Sequence, residues 1–295
     1  MGLGPHECLP YSYEAFVIAA RYFPKFGNDF VADNGGFTED EINKRDVAGF
    51  FAHKVQETGE NNIWLFSKPD GINDEQALDC YMKGALWAWF EGGANSGRFQ
   101  CGNKPSCGEF CPSVSYCNNQ LDTYGLECSP RTGAGGSICY AGRGAVQLSW
   151  NYNYGTFARW LFSIGITDDN GDMLDLINYP NLVMTKMDPP LSILGSLWFY
   201  MTPGSGFPAM HDVLTGNWDG SGSTWKGSVF GPTSKIINNE CSGETFGTWW
   251  HTGGFENNRI KGLCESINYI SLLTFVPFSS FPVLYRLLQR SRSWT

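Results

Sequence analysis

Basic residues are scarce in this chain: 20 Lys and Arg stand against 29 Asp and Glu, a net charge of −9 over 295 residues. That balance argues against a nucleic-acid ligand, because such affinity rests on Lys and Arg neutralising phosphates. It also disfavours an anionic polymer such as bacterial cell wall, and it suits a neutral polysaccharide. Charges of both signs make up only 17% of the residues and hydrophobic side chains 42%. This is the profile of a chain that buries a core and not of a disordered one. Cysteine pairs spaced for tetrahedral zinc are missing, which disfavours a zinc knuckle. Alternating strand patterns are few, and no internal repeat is found. The most apolar stretch, 270–285, is broken by Pro277 and Pro282 and is shorter than the roughly 20 residues a membrane helix needs. A C-terminal anchor is therefore a weak alternative. The start, Met1 to Cys8, has no basic region followed by an apolar run, so it does not read as a signal peptide.

Cysteine and aromatic residues are plentiful. The ten cysteines are Cys8, Cys80, Cys101, Cys107, Cys111, Cys117, Cys128, Cys139, Cys241 and Cys264. An even count without CxxC pairs reads as disulfides, and hence as an oxidising compartment. Secretion is the expectation, with the start of the sequence missing or wrongly assigned. Six of the ten fall between Cys101 and Cys139 among Gly, Ser, Pro and Asn, which reads as a stapled loop region of open connectivity. The aromatic residues, 11 Trp, 13 Tyr and 21 Phe, read in part as a large aromatic core and in part as a cleft lining, since a domain of this size rarely buries every Trp fully. Some of them are thus available as flat faces for sugar rings.

Helical signals dominate the chain. Ser12 can cap a helix carrying Phe16, Ala19, Ala20 and Phe23, ended by Pro24 and Gly27. Thr38 followed by Glu41 is a capping-box pattern, with Glu39 and Asp40 suited to the positive end of the dipole. Val47, Phe50, Phe51 and Val55 then follow helical spacing until Gly59. Further helices are expected over 75–90, 156–164, 172–177, 191–201, 210–214, 233–239 and 256–268.

Two segments carry candidate chemistry. Glu57 lies four residues after His53 and seven after Phe50, on the side of the apolar stripe. Desolvation there would raise its pKa and suit it to act as a general acid. On position alone it reads equally well as a helix-end residue that reaches solvent. The second segment runs from Tyr140 to Gly155 and contains Gly142-Arg143-Gly144-Ala145-Val146-Gln147-Leu148-Ser149-Trp150-Asn151-Tyr152-Asn153-Tyr154. Its amides and hydroxyl suit sugar hydroxyls and N-acetyl groups, and its aromatics offer platforms. A polar turn is the plainer alternative.

This second segment resembles the signature of the family 19 glycoside hydrolases, the plant-type chitinases. Phe50-Phe51-Ala52-His53-Lys54-Val55-Gln56-Glu57-Thr58-Gly59 is similar to the stretch of that family that bears its catalytic acid. Cys8 to Gly27, Ser196 to Pro203, His211-Asp212-Val213, Ile236 to Cys241 and Asn258-Arg259-Ile260 match in the same order. Details look most like invertebrate, nematode-type members. The resemblance implies an α+β, mostly α, lysozyme-like fold with long disulfide-stapled loops. It spans one catalytic domain over 8–268, with a Cys-rich insertion near 101–139 and an atypical tail over 269–295. It also implies a secreted, monomeric endochitinase acting on chitin or chito-oligosaccharides by inversion, with no cofactor or metal, no nucleic acid and no membrane.

By the match, Glu57 is the acid and Ser149 helps hold the nucleophilic water. Gln147, Tyr152, Asn153, Ile237 and Asn238 line the substrate, and Glu240 and Arg259 form a charged network behind the acid. Glu91 is the expected base, although it follows Glu57 at a longer interval than the family's base does. An insertion over 70–78 would absorb the difference; an alignment anchored on Cys80 instead puts Gly84 at that position. Gln56 stands where most members carry His. A catalytically silent chitin-binding protein is the alternative from another functional class, and a peptidoglycan-cleaving enzyme is a third.

Overall fold

The computed structural model describes residues 12–29, 37–58, 109–111, 116–118, 127–133, 136–204, 206–218 and 230–238. The chain divides into two compact units, Met1–Ala19 with Glu57–Trp198, and Ala20–Gln56 with Phe199–Thr295. The expected helices over 75–90 and 256–268, and the apolar tail, lie outside the described residues. Among the described residues no helix is long and apolar enough to cross a membrane.

In the first unit, Ser12 opens α1 (Tyr13–Ala20) as its spacing predicts. Its Oγ accepts the N–H of Ala15 at 3.1 Å, satisfying one of the helix's orphan donors. A small antiparallel sheet follows, with β3 (Gly136–Ile138) between β1 (Phe110–Cys111) and β2 (Thr132–Gly133). Phe110 pairs with Ile138, and Thr132 with Ser137. The Phe110 ring lies over Gly133, where a Cβ would come within 2.8 Å of it. Arg131 bonds Glu109 at 3.1 Å and lies over the Tyr179 ring. Cys117 and Cys128 form a disulfide, and Cys139 is disulfide-bonded as well.

Among the described residues this unit also holds α3 (Asn151–Ser163), α4 (Leu182–Thr185) and the part of α5 (Leu191–Met201) up to Trp198. Helix α3 buries Asn151, Tyr154, Phe157, Ala158 and Leu161, one stripe at helical spacing. Phe157 meets Trp198 with ring centroids 5.3 Å apart. Gly195 lets α5 approach, since a Cβ there would lie 3.0 Å from the Phe157 ring.

Two expectations need correction. Helix α3 begins at Asn151, not near 156, so the amide-rich segment is itself its first turn. Residues 172–177 form no helix. Leu174 and Leu176 are buried while Met173 and Asp175 are exposed, and the Leu176 N–H turns back to the Leu174 carbonyl at 3.0 Å. Asp168 Oδ1 takes the N–H groups of Asn170 and Asp172, and Asp175 Oδ1 takes that of Asn178. These local side-chain bonds compete with helix formation.

The second unit is built on α2 (Glu39–Thr58), assigned to it through Gln56. Thr38 and Glu41 form the expected box: Glu41 N–H donates to Thr38 Oγ1 at 3.3 Å, and Thr38 N–H donates to Glu41 Oε2 at 2.8 Å. Phe50 packs edge-on against Phe26 and Tyr200, with centroids 5.6 Å away in both cases. Gly49 is required where α2 meets α6 (Met210–Thr215), because a Cβ there would overlap Leu214. Helix α7 (Gly231–Asn238) packs on α6. Its Pro232 occupies the first turn, where a missing N–H costs nothing.

Candidate active site

The segment from Tyr140 to Asn153 is held from beneath by a buried cation. Arg143 is 1% exposed. Its Nε donates to Asn181 Oδ1 at 2.9 Å, and its Nη1 donates to the Cys139 and Ala141 carbonyls and, at 2.8 Å, to the Tyr154 hydroxyl. Tyr154 passes its own proton to the Ala141 carbonyl at 2.6 Å. The planar guanidinium thus ties the turn to α3 and to Asn181 at once, which a lysine could not do.

Above this staple the chain folds back on itself. Arg143 and Leu148 exchange backbone hydrogen bonds of 3.0 and 2.8 Å, and the intervening turn carries Gly144 at φ +83° and Gln147 at φ 55°. Gly144 is needed there, since a Cβ would lie 2.7 Å from the Ser192 carbonyl of α5. Gln147 Nε2 donates to the Gly144 carbonyl at 3.0 Å. Its carboxamide is thereby fixed and only half-buried.

Trp150 enters α3 at φ 71° and without a side-chain cap. Its place is set by its N–H to the Tyr140 carbonyl at 2.8 Å and by buried Asn151, which exchanges two bonds with the backbone of Asn118. Among the described residues the non-glycine positions with positive φ are Tyr116, Gln147 and Trp150, all in or against this segment. Strain of this kind persists only where surrounding contacts over-determine it. The Trp150 ring, 38% exposed, stacks on Tyr152 at 6.1 Å and 20°, and meets Tyr116 edge-on at 5.6 Å. Asn153 Nδ2 donates to the Ser149 carbonyl at 2.8 Å, so Ser149 and Asn153 are tied at the corner whose flanks carry Gln147 and Tyr152. Sequence reasoning had not singled out Trp150; the signal was its position next to Ser149 among the other aromatics.

Glu57 lies in the last turn of α2 and is half-buried. The residues leading to it are more enclosed than a helix end in solvent would be: His53 is fully buried, Lys54 and Gln56 nearly so. Burial pulls the Lys54 ammonium down to a pKa of about 8. Gln56 Oε1 has no hydrogen-bond partner among the described residues. Ile237 and Asn238 end α7, the first half-buried and the second exposed. Glu91, Glu240 and Arg259 lie outside the described residues. Among the described residues no group of His, Cys, Asp and Glu could hold a metal ion.

Comparison with known proteins adds the family. The family model described as class I chitinase, glycoside hydrolase family 19, matches residues 95–248, which include the Arg143 corner and α7. An endochitinase of Solanum tuberosum is 34% identical over 238 residues, covering 78% of this chain and 54% of that protein. Endochitinase B of Nicotiana tabacum is 35% identical over 237 residues, with the same two coverages. The chain thus spans about half the length of the curated relatives it matches. A class IV chitinase structure from Zea mays is similar at 22% identity and TM-score 0.45, covering 89% of this chain and 84% of that one. With the family model matching more than half of its residues, the chain belongs to glycoside hydrolase family 19, the class I chitinases, and has that family's mostly helical, lysozyme-like fold.

Proposed function

We propose that the protein is an endochitinase that hydrolyses β-1,4 linkages between N-acetylglucosamine units with inversion. The observation that carries this reading is the corner stapled by Arg143, which presents Gln147, Ser149, Tyr152 and Asn153 together in a family whose curated relatives are named endochitinases.

In the proposed reaction Glu57 donates its proton to the glycosidic oxygen as the bond to C1 breaks. A water on the opposite face attacks C1 and gives its proton to Glu91. Inversion requires room for that water, with the two carboxyl groups roughly 6.5–9.5 Å apart. The Ser149 hydroxyl makes no hydrogen bond to the described residues, which suits it to hold the water. Gln147, Asn153 and Asn238 offer amides to the sugar and its N-acetyl group, Ile237 an apolar edge, and the Trp150–Tyr152 stack a flat face. Glu240 and Arg259 are assigned to the charged network behind the acid. No step needs a metal or an organic cofactor.

The same reading makes 8–268 one catalytic domain of a monomer, nearer in motif detail to the invertebrate, nematode-type members. The Cys117–Cys128 disulfide supports a secreted protein. Proton NMR of a soluble chito-oligosaccharide digest tests the mechanism. Initial release of the α-anomer is expected; β-anomer would mean retention, and no hydrolysis would favour a silent chitin-binding protein.

A further inference from the structure

One buried histidine bonds α2 to α7. His53 is fully buried, and its Nε2 lies 2.7 Å from Thr233 Oγ1. The Thr233 hydroxyl has a single proton, and its oxygen is 2.6 Å from the Phe230 carbonyl, to which it donates. Toward His53 it can only accept, so the imidazole carries a proton on Nε2. The same ring lies flat on Phe230, with centroids 4.9 Å apart and planes 16° apart. One side chain of α2 thus grips the start of α7 twice, by a directed bond to its first turn and by a stacked face on Phe230, the residue before it.

Gln56 Oε1 on α2 and Ser234 Oγ on α7 are buried and have no hydrogen-bond partner among the described residues. The placement of the two partners along their helices gives the grip a consequence. Glu57 follows His53 by one turn of α2, and Asn238 ends the short helix whose first turn carries Thr233. A small rotation of α7 at its first turn would displace its far end.

We propose that His53 and Thr233 are a positioning pair, whose hydrogen bond sets the register of α7 on α2 and so the presentation of Asn238 to the sugar. This inference rests on the proposed chitinase reading. Neither residue need touch substrate. The effect should appear in turnover and substrate affinity per folded molecule, and not only in stability.

Three variants test it: Thr233→Val, which keeps the shape and removes the acceptor; His53→Phe, which keeps the stack and removes the donor; and Thr233→Ser, which keeps both. Hydrolysis of a chito-oligosaccharide is measured well below each variant's Tm. Thr233→Val and His53→Phe are each expected to lower kcat/KM about five- to tenfold, the scale of one buried hydrogen bond. Thr233→Val also removes the bond to the Phe230 carbonyl, so the double variant should fall no further than Thr233→Val alone, the His53 bond being already lost there. Thr233→Ser should stay within about twofold of the parent. If Thr233→Val lowers Tm but leaves kcat and KM unchanged, the pair is structural only and the inference is wrong. If one of these variants fails to fold, the other decides by the same criterion. If the parent protein itself hydrolyses nothing, the chitinase reading fails and the inference falls with it, an outcome distinct from an active parent with insensitive variants.

Discussion

His211 Nδ1 lies 2.9 Å from Oδ2 of the fully buried Asp46. Its other ring nitrogen faces Asp29 at 3.2 Å, and a ring that donates to both carboxylates is the imidazolium. Asp46 also accepts from Gly27 N–H and the Tyr200 hydroxyl, so the loop after α1, α2, α5 and α6 meet at one carboxylate. Burial is the largest single influence on His211 and lowers its pKa. The Asp46 bond and charge, the Asp29 bond and the nearby Asp212 together outweigh it, and the net shift is upward. For Asp29 burial raises the pKa, but the bonds from His211, Lys25 and Asn217 win and the net shift is downward.

The sign of the pH dependence follows from these two shifts. A raised histidine contributes stability that is complete below its unfolded pKa near 6.5 and is lost as pH rises through the folded value. The lowered Asp29 contributes stability above its unfolded value near 3.8 and loses it as pH falls further. Thermal unfolding should therefore show a maximum between about pH 4 and 6.5 and a decline on the alkaline side. His211→Gln should lower Tm at pH 5 and flatten that alkaline decline. An unchanged slope in the variant would remove His211 as its cause.

Thr38→Ala removes one half of the box at the start of α2 and leaves Glu41 without the Thr38 hydroxyl. A loss of about 1 kcal/mol in denaturant unfolding is expected, with Thr38→Ser near neutral. Equal losses in the two variants would show that the hydroxyl is not what matters.

How much of this protein was legible in its sequence depended on the range of the interactions. The Ser12 and Thr38 caps and the bounds of α5 were readable, because each is decided by residues within a turn or two of one another. The start of α3 was not. It depends on Asn151 bonding Asn118 across 33 residues and on Trp150 accepting a left-handed backbone, which no local propensity announces. Residues 172–177 misled because Asp168 and Asp175 hold the N–H groups on either side of the segment in local side-chain turns. The corner of Gln147, Ser149, Tyr152 and Asn153 was legible as a motif, whereas the Arg143 staple beneath it emerged only from the fold.

Arg143→Lys is expected to cost at least about 2 kcal/mol, since an ammonium cannot span Asn181, Tyr154 and two carbonyls. Arg143→Ala should cost about 3–4 kcal/mol, because it leaves those buried acceptors unpaired. Urea unfolding measures both. A loss below about 1 kcal/mol for alanine would mean that the staple is replaceable.

Trp150 allows strain and binding to be separated. Trp150→Gly and Trp150→Ala both remove the ring, so both should weaken chito-oligosaccharide binding by calorimetry to the same degree. At φ 71° glycine is unstrained, and the glycine variant should be the more stable by about 1 kcal/mol. Unchanged affinity would exclude the ring as a sugar platform; a less stable glycine variant would contradict the strain.

The account turns most directly on Glu57→Gln, assayed on a soluble chito-oligosaccharide beside binding of the same ligand. Glutamine keeps the shape and cannot donate the proton, so hydrolysis should fall by about 10²- to 10⁴-fold while binding persists. Hydrolysis at the parent rate would contradict the assignment of Glu57 as the acid, and with it the proposed mechanism.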